Sequence, residues 1–125
     1  MKKLILAGGI YNIFFALFHC GFWKMFNWNM ELEKLDFNNK WVMQILNIQT
    51  IFYLIFTAVI CFVFKNELLT TRLGKWFLFG TAGFWFISAM GQFVYWETGV
   101  VSTIIMVLFF LLGSVFYLVP AIRKQ

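Results

Sequence analysis

Charge is scarce in this chain. Only 12% of its 125 residues are Asp, Glu, Lys or Arg, against 62% hydrophobic and 22% aromatic, and the mean hydropathy is +0.83. Soluble domains carry about 25% charged residues, so the shortage excludes an ordinary water-facing surface. It also excludes a nucleic-acid interface, which needs clustered basic residues interleaved with stacking aromatics on a soluble face. Proline occurs once, as Pro120 at the end of the last apolar stretch, which predicts spans without a proline kink. Histidine also occurs once, as His19, so a bis-histidine haem has no second ligand. No carboxylate lies inside any apolar run, which leaves a proton relay or a carboxylate-driven antiport without a carrier. The glycine-bearing stretch "LAGGIYN" lacks the lysine of a phosphate-binding loop.

What the chain has instead is long hydrophobic runs. Leu4 to Trp23, Trp41 to Phe64, Trp76 to Trp96 and Val100 to Val119 each come close to the ~20 residues that a helix needs to cross a bilayer. Their apolar character is continuous, whereas the strands of a transmembrane barrel alternate every second residue over about ten positions. The expectation is an all-α integral membrane protein, a single four-helix transmembrane bundle over residues 1–125. The basic head and apolar body of "MKKLILAGGIYNIFFALFHC" read as a retained signal-anchor helix, because "ALF" lacks a small-residue cleavage pattern and the apolar run continues past it.

Flanking charge sets an orientation. Lys2, Lys3, Lys65, Arg72, Lys75, Arg123 and Lys124 fall on one side of the expected spans, and Lys24, Lys34 and Lys40 on the other. Basic residues are retained in the cytoplasm, so both termini are expected inside a cytoplasmic-type membrane such as a bacterial inner membrane. The opposite side carries Glu31, Glu33, Asp36 and Glu97. The same bias argues for one insertion direction, so any homo-oligomer is expected to be parallel. Residues 66–75 and 97–99 read as tight connections. Residues 25–40 read as an interfacial lid, with Phe26, Trp28, Met30, Leu32, Leu35 and Phe37 on the apolar side and the acidic residues in water. An ordinary aromatic belt is the alternative.

Cys20 falls near the outer boundary of the first expected span and Cys61 near the inner boundary of the second, at depths differing by roughly 20 Å, too far for a disulfide with its ~7 Å limit between Cα atoms. Both read as small apolar fillers. Gly8, Asn12, Ala16 and Cys20 form an i+4 ridge, and Gly80, Gly83, Gly91 and Gly113 read as positions where backbones approach.

Polar residues inside the spans carry the functional signal, because each needs a partner where there is no water. They gather in the outer halves. His19 and Trp23 lie on one face of the first helix, Gln44, Asn47 and Thr50 on one face of the second, and Trp85, Ser88, Gln92 and Tyr95 on one face of the third. Turned inward, these stripes form an aromatic-lined polar cavity that opens outward. The candidate ligand-binding set is therefore His19, Trp23, Gln44, Asn47, Trp85, Ser88, Gln92 and Tyr95. Its expected ligand is a small amphipathic molecule, lipid-like or quinone-like, and its other partner is the bilayer. No catalytic residue and no metal site is expected, and no cofactor beyond a single-axial haem at His19, with Met43 or Met90 as its second ligand, as a minor option. Two other readings use the same residues. One is a structural or accessory subunit whose polar layer pins the helices. The other is a small transporter or channel, which would need the polar stripe to continue to the cytoplasmic side.

Overall fold

A long apolar run in hydrocarbon can satisfy its backbone only within itself, and it does so by coiling. The computed structural model describes residues 1–94 and 99–123, and those residues are helical with no strand among them. Four helices are long and apolar enough to cross a membrane: α1 (Lys2–Cys20), α4 (Phe37–Val63), α6 (Arg72–Val94) and α7 (Val100–Ile122). They match the four expected spans in number and order.

The connections hold more helix than the sequence pattern suggests. Gly21 keeps a helical backbone, and the chain continues as α2 (Phe22–Met25). Asn27 then turns with φ 48°, a left-handed conformation that asparagine tolerates, into α3 (Trp28–Glu31) and a 3-10 turn (Leu32–Lys34). The tight connection expected over 66–75 is mostly helical, as α5 (Lys65–Thr70) and the start of α6. Within the 25–40 segment Trp28 and Leu32 are buried, while Phe26, Met30, Leu35 and Phe37 stay exposed. Trp28 sets its ring against Phe22 and Trp23, at 5.7 and 5.2 Å between centroids. Lys34 pairs with Glu31 at 2.7 Å, and Lys40 pairs with Glu33. Asp36 caps α4 by accepting from the Asn39 backbone N–H at 3.0 Å, a bond that holds its carboxyl below the ordinary carboxylate range.

The long helices assemble as two hairpins. α1 runs along α4, α6 runs along α7, and the hairpins meet chiefly through α1 and α7. A polar bond crosses each seam of the resulting ring. His19 and Asn47 join α1 to α4, and the Tyr11 hydroxyl donates to the Phe109 carbonyl of α7. Ser114 Oγ donates to the Ala82 carbonyl at 3.0 Å, joining α7 to α6, and Tyr53 reaches Thr81 Oγ1 at 3.4 Å across the α4–α6 seam. Between these bonds the core is filled by Ile5, Phe15, Leu54, Cys61, Leu78 and Tyr117 around the Trp85 indole. The Trp85 ring lies 4.8 Å from Phe15 and 5.1 Å from Tyr11.

Several packing expectations change. Gly8, Asn12 and Ala16 are buried as a ridge predicts, but Cys20 is exposed, and only Cys61 is a buried filler; both thiols are free. A Cβ on Gly113 would come within 2.7 Å of Trp85 and 2.9 Å of Tyr11, so this glycine does bring α7 close to its neighbours. A Cβ on Gly80, Gly83 or Gly91 would meet nothing within 4 Å, so these three mark no close approach. Pro120 lies inside the last turn of α7 and not beyond it, where its missing N–H costs one bond near a helix end.

Candidate functional site

Between the last turn of α1 and the middles of α4, α6 and α7, the four long helices leave a cavity of about 300 Å3. It is lined by His19 from α1, Thr50 and Leu54 from α4, Phe84, Trp85, Ser88 and Gln92 from α6, and Phe110 from α7. Helical spacing explains the α6 contribution: 84, 85, 88 and 92 lie on one stripe, so a single face delivers four of the eight residues. The side chains named here are all uncharged apart from the titratable imidazole.

His19 is held from two directions by one residue. Its Nδ1 lies 2.7 Å from Asn47 Oδ1, and Asn47 Nδ2 donates at 3.1 Å to the His19 backbone carbonyl. That carbonyl lies in the last turn of α1, where it also accepts a capping backbone N–H, and its two lone pairs accommodate both donors. It can only accept, so the amide nitrogen of Asn47 must face it and the amide oxygen must face the ring. The imidazole therefore carries its proton on Nδ1 in the neutral form, and Nε2 is a bare acceptor. The ring is further fixed by stacking on Phe22 at 4.4 Å.

The remaining polar groups of the wall divide by what they still offer. Ser88 Oγ donates to the Phe84 carbonyl at 2.9 Å and Thr50 Oγ1 to the Leu46 carbonyl at 2.8 Å, so both hydroxyl protons are committed within their own helices. The Trp85 indole N–H is buried and has no partner. The Gln92 amide has no bond to another described residue.

Of the eight residues expected from the sequence, His19, Trp85, Ser88 and Gln92 line the cavity. Asn47 stands behind His19 and orients it. Trp23 and Gln44 are not in the wall: Trp23 Nε1 donates to Gln44 Oε1 at 3.4 Å, while Gln44 Nε2 donates back to the Lys40 carbonyl at 3.2 Å. They form a separate pair outside the cavity lining. Tyr95, and Glu97 with it, lie outside the described residues. Thr50 was legible as a member of the Asn47 face. Leu54, Phe84 and Phe110 were not, because apolar residues among many others carry no signal until a void lies beside them.

Met43 and Met90 are both exposed and neither lines the cavity, so a second axial ligand opposite His19 is not assembled. Among the described residues no group of three or more His, Cys, Asp or Glu side chains is placed to hold a metal ion. Comparison of the chain with protein-family models, with curated proteins and with solved structures gives no match in any of the three.

Proposed function

We propose that this protein is a multi-pass membrane protein that binds a small, neutral, amphipathic molecule in the His19 cavity. The observation that carries the reading is a void with apolar aromatic walls, in which the Trp85 N–H is buried without a partner and His19 Nε2 and the Gln92 amide have none among the described residues. Buried polar groups are ordinarily paired, and a bound molecule with matching groups is one way of pairing these. Among the described residues the wall has no carboxylate, lysine or arginine, which favours an uncharged ligand, and its aromatic rings favour a lipid-like or quinone-like one. The excess of basic residues at the opposite end supports an orientation with both termini in the cytoplasm of a plasma or bacterial inner membrane. The cavity then lies toward the outer side. The second reading, an accessory subunit, is favoured by the polar bond at each helix seam, since such bonds pin a bundle without any ligand.

Filling the cavity separates the two. Ser88→Phe adds an aromatic ring to the void and leaves the His19–Asn47 bonds in place. Native mass spectrometry of gently extracted protein is expected to show a retained small molecule on the wild type and none on the variant, with both equally folded. The same adducts on both proteins would sink the binding reading and leave the accessory one.

A further inference from the structure

The polar groups that line the cavity are unbalanced in their chemistry. Three of them offer only lone pairs: His19 Nε2, because Asn47 holds the ring proton on Nδ1, and Thr50 and Ser88, because their hydroxyl protons are spent on Leu46 and Phe84. Only the Trp85 indole N–H is a pure donor, and the Gln92 amide both donates and accepts. A molecule that only accepts hydrogen bonds would leave the acceptors in this wall unmet, and an unmet buried polar group is costly. A molecule that carries a hydroxyl can give its proton to one of them.

We infer that the cavity selects an aromatic ring bearing a free hydroxyl, a phenol or a quinol, over the same ring with that hydroxyl methylated or oxidised to a carbonyl. Phe84, Trp85 and Phe110 supply the ring surfaces, and His19 Nε2 accepts the hydroxyl proton in a hydrogen bond without taking it. Asn47 is the positioning residue. It never meets the ligand, but the His19 carbonyl that fixes its amide also fixes which imidazole nitrogen carries the proton. Without that clamp the ring can exchange tautomers and donate to an acceptor-only ligand, and the discrimination is lost. This inference rests on the cavity being a binding site.

Two measurements test it. In the first, para-butylphenol and its methyl ether, para-butylanisole, are equilibrated with detergent-solubilised protein, and Ser88→Phe protein serves as the blank for partition into micelles. The phenol is expected to bind about tenfold tighter than the ether, the worth of one hydrogen bond. In Asn47→Leu the ratio is expected to fall toward one, by gain of ether affinity. Equal binding of both probes by the wild type overturns the selectivity and leaves the cavity reading standing. Neither probe exceeding the blank overturns the cavity reading itself. The second measurement needs no variant and no ligand. His19 is the only histidine, so protein labelled with 15N-histidine gives the nitrogen spectrum of one ring. Well above the ordinary imidazole pKa of about 6.5, the proton is expected on Nδ1 with Nε2 bare. A proton on Nε2 overturns the inference outright.

Discussion

A histidine surrounded by phenylalanine and tryptophan has to find a partner or leave the apolar medium, and His19 finds one twice in Asn47. Other polar residues at the same scale do not. Both amide atoms of Asn12 and the hydroxyl of Thr57 are buried without a hydrogen-bond partner. Leaving such a group unmet costs about 1–3 kcal/mol, and a replacement of the same shape that lacks it avoids the cost. Thr57→Val is therefore expected to raise stability in thermal unfolding by about 1 kcal/mol. Ser114→Ala has the opposite sign: it breaks the bond to the Ala82 carbonyl and should lower stability by a similar amount. A Thr57→Val protein that melts lower than wild type would show that the hydroxyl is paired after all. At this scale the sequence tells which residues must be satisfied, but not by whom.

Helix by helix, the glycines separate a visible pattern from an effective one. Gly80, Gly83, Gly91 and Gly113 all look like contact points when read as letters, yet only Gly113 has neighbours where a side chain would go. Gly113→Ala would press a methyl group into Trp85 and Tyr11, two rings locked by their own packing, and is expected to cost about 1–3 kcal/mol. Alanine at Gly80 or Gly83 meets open space and gains helix propensity, so each is expected to be neutral or stabilising by up to about 1 kcal/mol. Thermal melting of the three variants side by side checks the ranking, and a Gly80→Ala loss as large as that of Gly113→Ala would contradict the packing of α6. Element ends were only partly legible: the second apolar run starts at Trp41, whereas Asp36 caps a helix that begins at Phe37. Between α4 and α6 they were not, because residues 65–70 are polar enough to read as a connection while coiling as α5.

Taken whole, the molecule is a ring of four helices with at least one polar bond across each seam and a void between the last turn of α1 and the middles of the other three helices. On the topology proposed above, four spans return the chain to the side on which it started, and the seven-to-three excess of Lys and Arg favours the cytoplasm for that side. Reporter fusions after Gln125 and within residues 25–40 are expected to read opposite sides of the membrane, with the C-terminal fusion cytoplasmic. A cytoplasmic reading for the 25–40 fusion would invert the bundle and turn the cavity to the inside.

The sequence alone determined the number, order and approximate limits of the four long helices, because apolar run length against bilayer thickness is a local property. It also determined the polar stripes of α1, α4 and α6, because a periodicity of 3.6 residues can be counted along one chain. Which stripes meet was decided only by the tertiary structure. Trp23 and Gln44 satisfy each other while Thr50 turns into the cavity, and nothing in the letters ranks these three, since pairing depends on the relative rotation and depth of neighbouring helices. The void and the Nδ1 proton are of the same kind. Each exists only where several helices converge, and the identity of the free nitrogen in His19 was settled 28 residues away by which way one amide must face.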